Sequence, residues 1–474
     1  MSERPNVLLI VFDTARADAF EPYGAGMGAS PTVAQLASRG AALPSAYATS
    51  NWTLPSHVSM LSGLLPRATG LMQAPGGKAI NCRPYVEALT DRLLPAVLRR
   101  NGYDTRAASS NAWISHPTGF ASGFNEFHDV WSERQRKVDD KSMRGRAHWL
   151  LEGARRRADD GAAQIEALLS RWIDERPARP FFWFVNLVEC HSPYLPPRPY
   201  NDLRFTARLK AADDVRKYQG IVGVWRACAV RKPLPSSALA RMRHLYGRSI
   251  LSLDDWLARL LERLDAKGVL DDTIVIVTSD HGENLGESNL IGHSFSLDQR
   301  LIHVPWIMAG PGVRPLDRVT SLAEMPQLVA DAVDLDEHPW HESRPQDVAV
   351  SQYDRLTDMT DPRMAEIKEQ YGFTDDEIGW FTTDGTSATD GMLKLIREKN
   401  SERAYDLHAD PLEASPLPRT DDPGLARLRA ALDEAERQRP IIRPPIDAPQ
   451  PGRPDDAREN AELEERLRLL GYIE

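Results

Sequence analysis

The sequence predicts an α/β fold, with a mostly parallel central sheet flanked by helices and a small antiparallel α+β subdomain at the C-terminus. Two observations support this prediction. Apolar, β-branched runs such as NVLLIVF and TIVIVT alternate with helical segments over the first 340 residues, and this order of elements typically builds a parallel sheet. Beyond about residue 340 the pattern changes to short strands, as in MLKLIREKNSERAYDLHADP.

The elements of the first half follow from apolar periodicity and from helix start and stop signals. The run NVLLIVF ends abruptly at Asp13, as expected of a strand that is buried on both faces. A Ser-Pro start and a Gly stop predict a helix over residues 30–40, and LPSHVSMLSG predicts another that begins near Ser56. Residues 88–111 predict a helix, a Gly turn and a strand that ends at Asn111.

Three further segments complete the predicted sheet. Residues 180–197 predict a strand that runs into a Pro-rich loop at His191. Residues 249–283 predict a long amphipathic helix and then a β-branched strand that ends in Ser279-Asp280-His281. Residues 303–312, HVPWIMAGPG, predict one more strand.

The length of 474 residues exceeds what one small core can organise, so we predict two parts. Residues 1–340 form the predicted catalytic domain, and residues 341–474 form the C-terminal subdomain. Charged helical segments at about 131–178 and 199–245 are predicted insertions on the rim of the sheet. Residues 416–458 are rich in Pro, Asp and Arg and are predicted to wrap loosely over the surface before a terminal helix, AELEERLRLLGYI.

Composition restricts the partners and the location. The net charge of -10 argues against a nucleic-acid-binding surface, but a small anionic ester substrate remains compatible with it. Three cysteines without paired spacing indicate a reducing compartment and provide neither a zinc motif nor a disulfide framework. The first apolar run is too short for a signal peptide and no run of about 18 apolar residues follows. We therefore expect a cytoplasmic protein with no membrane segment; nothing in the sequence indicates its oligomeric state.

Polar residues follow several of the predicted strands. They are Asp13, Asn111, His191, Asp280 and His281. In an open α/β sheet, ligands bind beyond the carboxyl ends of the strands, so these side chains are expected to converge on one edge. The adjacent Asp280 and His281 offer one carboxylate oxygen and one imidazole to a divalent cation.

The stretch NWTLPSH places a hydroxyl residue, Thr53, at the start of a predicted helix. One interpretation is a helix cap. The other is a nucleophile that is held at a helix N-terminus, where backbone N–H groups and the helix dipole favour an anion.

Several segments together resemble one known family. They are NVLLIVFDTARAD, TLPSHVSMLSGLLP, GYDT, HSPYLPP, TIVIVTSDHGENLGE, GHSFSLDQRLIHVPWIMAGPG and the terminal LGYI. In order and spacing, the chain resembles the sulfatase-like branch of the alkaline phosphatase superfamily over nearly its whole length. The resemblance implies an alkaline phosphatase-like fold, a divalent metal bound by Asp13, Asp280 and His281, and a nucleophile at Thr53 that also touches the metal.

The chain departs from the sulfatase pattern at three places. Sulfatases carry Cys or Ser followed by x-Pro-x-Arg and convert the first residue to formylglycine, whereas this chain has Thr53-Leu54-Pro55-Ser56-His57. Threonine cannot yield that aldehyde because its Cβ bears a methyl group. The usual Lys-x-His is replaced by Asn111 and Trp113, and the usual Asp-Asn metal pair is Asp280-His281. These differences favour the members that act on phosphorus through an unmodified threonine, such as phosphodiesterases and phosphoglycerol or phosphoethanolamine transferases.

The resemblance also suggests supporting roles. His191 stands where relatives keep a substrate-side histidine and is expected to protonate the leaving oxygen. His293 stands where relatives keep Lys or His and is expected to clamp the substrate oxygens or bind a second metal. Asn111 is expected to donate to the transferred group, and His57 either donates to the anion or orients Thr53.

We therefore predict a metal-dependent hydrolase or transferase that acts on a phosphodiester or phosphomonoester through Thr53, whose hydroxyl a bound metal would activate. One alternative is a sulfate-ester hydrolase or sulfo-transfer enzyme without formylglycine, and another is a catalytically silent relative that binds an anion or a partner protein. The single imidazole favours Mn²⁺ or Zn²⁺, with Ca²⁺ or Mg²⁺ as alternatives. A dinuclear site would draw on Glu189, His191 and His293.

Overall fold

A computed structural model describes most of the chain. The described residues are 4–24, 27–75, 78–130, 143–175, 180–230, 233–340, 347–355, 365, 368–369, 372–379, 383–399, 401–418, 422–441, 461 and 463–464. The predicted terminal helix lies largely outside these residues, as do residues 131–142 and 176–178 of the first predicted rim insertion and residues 442–458 of the predicted Pro-rich wrap. The prediction of a loose wrap is wrong for Ala426–Arg437, which form a helix whose apolar side chains Leu428 and Leu432 are buried.

The strands of the described residues fall into one large sheet and three smaller ones. They are β1 (Asn6–Phe12), β2 (Ala41–Ala42), β3 (Ala46–Tyr47), β4 (Asp104–Ser109), β5 (Glu126–Asp129), β6 (Phe181–Leu187), β7 (Thr273–Thr278), β8 (Asn284–Leu285), β9 (Ile291–Gly292), β10 (Trp306–Ala309), β11 (Thr320–Ser321), β12 (Ala349–Tyr353), β13 (Gly385–Thr389), β14 (Leu393–Glu398) and β15 (Ser401–Asp406).

The large sheet has the strand order β2-β10-β7-β1-β6-β4-β5. Strands β7, β1, β6, β4 and β5 are parallel to one another, and β10 runs antiparallel to both β7 and β2. The predicted mostly parallel sheet is therefore confirmed. Because β7, β1 and β6 are adjacent and parallel, the residues that follow them meet at one edge.

The described residues contain the following helices, several of which cover the two faces of this sheet. They are α1 (Pro31–Arg39), α2 (Thr53–Ser62), α3 (Pro66–Thr69), α4 (Arg83–Ala88), α5 (Leu94–Arg100), α6 (Met143–Arg155), α7 (Ala162–Glu175), α8 (Phe205–Asp214), α9 (Ile221–Val230), α10 (Ser236–Ala266), α11 (Gln299–Ile302), α12 (Met325–Ala332), α13 (Asp375–Ile378) and α14 (Ala426–Arg437). Helix α2 begins at Thr53, three residues before the predicted start near Ser56, because Pro55 fits within the first helical turn.

Strand β1 shows why the predicted run is apolar throughout. Leu8 and Ile10 belong to the core on one face of the sheet, and Val7 and Leu9 belong to the core on the other. A strand with two covered faces needs apolar side chains at every position. Among the described residues, none of the helices combines the length and the apolar character needed to cross a membrane.

The C-terminal strands β12 to β15 form an antiparallel sheet, with α14 packed against it. The predicted antiparallel C-terminal sheet is therefore confirmed. Strand β12 also contacts the segment that leads to α2. Ser351 donates its hydroxyl to the carbonyl of Ala48, at 2.6 Å, and the amide of Gln352 donates to the carbonyl of Thr49, at 2.8 Å. The C-terminal sheet thus contacts the approach to Thr53.

Candidate active site

Two buried aspartates follow adjacent parallel strands. Asp13 comes directly after β1, and Asp280 comes two residues after the end of β7; both are fully buried. The backbone of Thr14 takes a left-handed conformation, with φ 61°, and its amide donates to Oδ1 of Asp280 at 3.1 Å. Burial, and then the charge of Asp13, raise the pKa of Asp280. Two carboxylates placed together in the interior need either a proton on one of them or a cation that neutralises them.

His281 completes a group of potential metal ligands. One ligand atom each from Asp13, Asp280 and His281 lies within 4.8 Å of the others. Nδ1 of His281 donates to the carbonyl of Gly282 at 2.9 Å, so its Nε2 faces the carboxylates, 3.3 Å from Oδ2 of Asp280. Burial, and then His293, lower the pKa of His281, which keeps the imidazole neutral and able to ligate a cation.

Unpaired carboxylate oxygens in this group indicate whether a metal ion would fit between the three residues. Oδ1 of Asp13 and Oδ2 of Asp280 are buried and have no hydrogen-bond partner among the described residues. The other oxygens of the same carboxylates are satisfied by Asn111, Thr14 and His281. Buried polar atoms rarely stay unpaired unless an ion or a water completes them. The donor set of two carboxylates and one imidazole therefore fits a divalent cation.

Thr53 lies beside this group. It is the first residue of α2 and is fully buried, and its Oγ1 is 3.4 Å from Nε2 of His281. The N-cap position belongs to Trp52, and the side chain makes no capping hydrogen bond. The interpretation of Thr53 as a helix cap is therefore wrong. Ser56 secures α2 against the sheet edge, because its hydroxyl donates to the carbonyl of Asp280 at 2.6 Å.

His57 lies one turn later on α2 and is fully buried. Its Nδ1 donates to the carbonyl of Thr53 at 3.0 Å, and its Nε2 accepts from Nδ2 of Asn186 at 3.1 Å. Burial lowers the pKa of His57, in keeping with a neutral ring. Since both ring nitrogens have partners, this geometry favours the second predicted role, orientation of Thr53.

Asn111 lies two residues after β4 and contacts the first aspartate. Its Nδ2 donates to Oδ2 of Asp13 at 2.7 Å, and its Oδ1 accepts from the amide of Trp113 at 2.8 Å. In this arrangement Asn111 orients Asp13. A donor role toward a transferred group, as expected from the sequence, stays a prediction.

His191 and His293 lie side by side next to the metal ligands. The ring of His293 is 5.0 Å from that of His191 and 4.7 Å from that of His281. Nδ1 of His191 donates to the carbonyl of Ser192 at 2.7 Å, and burial lowers the pKa of His191. Nδ1 of His293 lies 3.3 Å from Oε1 of Glu283. Burial alone would lower the pKa of His293, but the carboxylate of Glu283 reverses this and raises it.

Glu189, a candidate ligand for a second metal, points elsewhere. Its Oε1 accepts from the amide of Ala162, the first residue of α7, at 2.9 Å. Burial, and then the charges of Asp160 and Asp159, raise its pKa to about 8. Among the described residues, the single group found with metal-ligand geometry is Asp13, Asp280 and His281.

Two further residues of this site, Asn186 and Glu283, are not among those predicted from the sequence. Asn186 lies in β6, and its Nδ2 contacts both His57 and, at 3.4 Å, Asp13. As the polar residue within the apolar run FFWFVNL, it carried a signal that went unused. Glu283 is fully buried and supports His293. It stands two residues after His281, so its nearness to the predicted ligands was the available signal.

Comparison with known proteins identifies one matching family and several similar proteins. The family described as Sulfatase matches residues 5–334. The chain is similar to the choline-sulfatase of Rhizobium meliloti (strain 1021), with 24% identity over 87% of this chain and 82% of that protein. It is also similar to the human iduronate 2-sulfatase, with 27% identity over 67% of this chain and 61% of that protein.

A solved structure supports the fold. The phosphonate monoester hydrolase of Agrobacterium radiobacter matches with a TM-score of 0.61 and 20% identity. The match covers 91% of this chain and 95% of that one. At this level of identity the similarity establishes the architecture.

Proposed function

This chain belongs to the sulfatase family, and we propose that it is a metal-dependent enzyme that cleaves or transfers a phosphate group of an ester through the unmodified hydroxyl of Thr53. Family membership accounts for the hydrolase chemistry in general. The choice of phosphorus and of threonine is the specific part of the proposal.

The observation that carries the proposal is the position of Oγ1 of Thr53. It lies 3.4 Å from Nε2 of His281, next to two unpaired carboxylate oxygens, and takes no part in capping α2. A buried hydroxyl that does not cap its helix and lies beside a group of potential metal ligands is explained by a role as nucleophile. The methyl group on its Cβ excludes conversion to formylglycine.

The start of α2 supports binding of an anion. Thr53 is the first residue of a ten-residue helix, so backbone N–H groups of the first turn and the positive end of the helix dipole lie next to its hydroxyl. A phosphoryl group placed here would find donors on one side and Oγ1 on the other. Such preorganised donors stabilise the charge that develops in a transition state.

A divalent ion held by Asp13, Asp280 and His281 would supply positive charge to the nucleophile and to the phosphoryl oxygens. His57 holds the carbonyl of Thr53, and Asn186 contacts both His57 and Oδ2 of Asp13. These contacts fix the backbone of Thr53 and the carboxylate of Asp13. Preorientation of a nucleophile in this way lowers the entropic cost of attack.

In the proposed reaction, Oγ1 of Thr53 gives its proton to solvent and bonds to phosphorus, and the bond from phosphorus to the leaving oxygen breaks. His191 passes a proton from solvent to the leaving oxygen, and His293, supported by Glu283, clamps the remaining oxygens. Attack by water then restores the hydroxyl of Thr53 and releases phosphate from a monoester substrate or a phosphate monoester from a diester substrate. An alcohol in place of water would make the enzyme a transferase.

Hydrolysis of sulfate esters without formylglycine is the second candidate. The names of the related choline-sulfatase and iduronate 2-sulfatase favour it. The buried neutral His57, where sulfatases carry an arginine that supports the aldehyde, weighs against it. The phosphonate monoester hydrolase with the same architecture is compatible with chemistry at phosphorus on this fold.

The test is a substrate screen with the metal controlled. Purified protein is stripped of metal, reloaded with Mn²⁺, Zn²⁺ or Ca²⁺, and assayed on aryl phosphodiesters, aryl phosphomonoesters and aryl sulfates. We expect metal-dependent turnover of a phosphate ester that exceeds turnover of the matched sulfate. Preference for the sulfate would favour the second candidate, and no turnover of any of these esters would favour a binding protein.

A further inference from the structure

A loop between β9 and β10 contacts the proposed active site at both of its ends. We call residues 294–302 the bridging loop. The residue directly before it, His293, has its ring 4.7 Å from the ring of His281. Near its end, the carbonyl of Leu301 accepts from the amide of Gly282 at 2.7 Å. A Cβ on Gly282 would lie 1.9 Å from the carbonyl oxygen of Arg300, so the loop packs directly against the residue after His281.

The centre of the bridging loop is held by a buried ion pair from the C-terminal part of the chain. Nζ of Lys394, in β14, lies 2.5 Å from Oε1 of Glu413. The side chain of Lys394 is 0% exposed and that of Glu413 is 2% exposed. A charged pair this deeply buried is uncommon, because both partners lose their hydration.

Each partner of the ion pair also binds the backbone of the loop. Nζ of Lys394 donates to the carbonyl of Leu297 at 2.6 Å. Oε2 of Glu413 accepts from the amide of Gln299, the first residue of α11, at 2.7 Å. Glu413 reaches this amide from a backbone with φ 53°, a conformation that costs energy for a residue other than glycine. Lys394, in the C-terminal sheet, and Glu413, in the segment that follows β15, thus hold two points of the loop.

The physics of the pair indicates a role in positioning. Burial lowers the pKa of Lys394, although the charge of Glu413 opposes this change. Asp298 and Arg300 add further charges around the ammonium group. An apolar pair of the same size is often as stable as a buried ion pair. These charges are therefore better explained by the fixed position that they give to the bridging loop than by added stability of the fold.

We propose that Lys394 and Glu413 are positioning residues for the active site. They fix the bridging loop at Leu297 and Gln299 and thereby set the place of His293 at one end and of Gly282 and His281 at the other. The activity part of this inference rests on the proposed function, whereas the effect on the loop does not depend on it.

The test replaces both charges at once. Lys394→Met alone leaves the carboxylate of Glu413 buried without a partner and is expected to destabilise the fold strongly. The double variant Lys394→Met/Glu413→Met removes both charges at similar volume, so we expect its melting temperature to fall far less than that of Lys394→Met. Arg397→Met is the matched control. It removes a cation from the same strand whose partners are Glu402, Asp433 and Glu436.

Two quantities are measured on each folded protein: hydrogen exchange of the amides in residues 297–302, and kcat on the best substrate. We expect the double variant to exchange at least about tenfold faster there and to lose about tenfold or more in kcat, as misplaced catalytic groups do. The control should match the wild type in both. Unchanged exchange, or faster exchange with unchanged kcat, would overturn the proposal.

The exchange measurement separates this inference from the proposed function. If the wild type turns over no ester, the proposed function fails, and the double variant is then judged by exchange alone. Faster exchange over residues 297–302 would still support the positioning role, and exchange equal to the wild type would overturn it.

Discussion

Nε2 of His281 and Oγ1 of Thr53 lie 3.4 Å apart, although 228 positions separate them in the sequence. The end of β7 supplies the histidine and the first residue of α2 supplies the hydroxyl. Ser56 fixes this relationship, because its hydroxyl donates to the carbonyl of Asp280, next to the histidine. The proposed chemistry depends on this junction between helix and sheet.

Asp280→Asn is expected to raise the stability of the protein without metal and to reduce the rise in melting temperature that metal produces. Without metal, the variant should be more stable than the wild type, because it removes a buried charge whose pKa is raised by burial and by Asp13. With saturating Mn²⁺, the wild type should gain several degrees in melting temperature and the variant much less. The reason is that a bound ion stabilises the folded state more when the folded state binds that ion more tightly. Thermal unfolding with EDTA and with Mn²⁺ measures both effects.

Asp254→Asn is the control for the metal experiment. Asp254 is also a fully buried aspartate, but it binds the amides of Thr32 and Val33 at the start of α1. This variant should keep the full Mn²⁺-induced rise. An equal rise in the wild type and in Asp280→Asn would contradict the assignment of Asp280 as a ligand.

His57→Phe tests whether this histidine orients Thr53. Phenylalanine keeps a ring that packs edge-on against Phe120 and Phe184, but it removes both hydrogen bonds of the imidazole. We expect kcat to fall on the order of 10²-fold with KM changed less than about twofold, since the nucleophile is misplaced while substrate contacts remain. Steady-state kinetics on the folded variant decides. A large rise in KM at constant kcat would indicate that His57 binds the anion.

Glu189→Gln is expected to change how stability depends on pH. The pKa of Glu189 is about 8 in the folded protein, because of burial and then Asp160 and Asp159, against about 4.3 in an unfolded chain. Between these values the folded state holds a proton that the unfolded state releases. The unfolding free energy of the wild type should therefore fall by about 1.4 kcal/mol per pH unit relative to the variant. Stability above pH 8 should be higher in the variant.

Urea unfolding from pH 5 to pH 8 measures this difference. Glutamine keeps an acceptor for the amide of Ala162, so the variant should fold normally. Glu434→Gln, at an exposed position of α14, is the control and should follow the wild type. A constant difference between Glu189→Gln and the wild type across this range would contradict the raised pKa.

The sequence predicts the site residues that come shortly after the ends of strands. Asp13 and Asp280 come after apolar runs, and adjacent parallel strands bring such residues to one edge. The mostly parallel sheet follows from the same pattern. The resemblance to sulfatases is confirmed at the level of the family.

Other features depend on tertiary contacts that have no local pattern. The pairing of Lys394 with Glu413, and the contact of both with the bridging loop, requires that the C-terminal sheet docks on residues 297–299. From the sequence alone, neither Lys394 nor Glu413 can be distinguished from a charged residue at an exposed position. Helix α2 begins three residues before the predicted position near Ser56, because Pro55 lies within its first turn.

The measurement that tests the account most directly compares Thr53→Ala with Thr53→Ser and the wild type, each folded and loaded with the same amount of metal. Serine keeps the hydroxyl and should retain measurable turnover of the best phosphate ester. Alanine leaves Asp13, Asp280 and His281 in place but removes the attacking atom, so we expect a loss on the order of 10³-fold or more. Near-normal turnover by metal-loaded Thr53→Ala would contradict the proposal that Thr53 is the nucleophile.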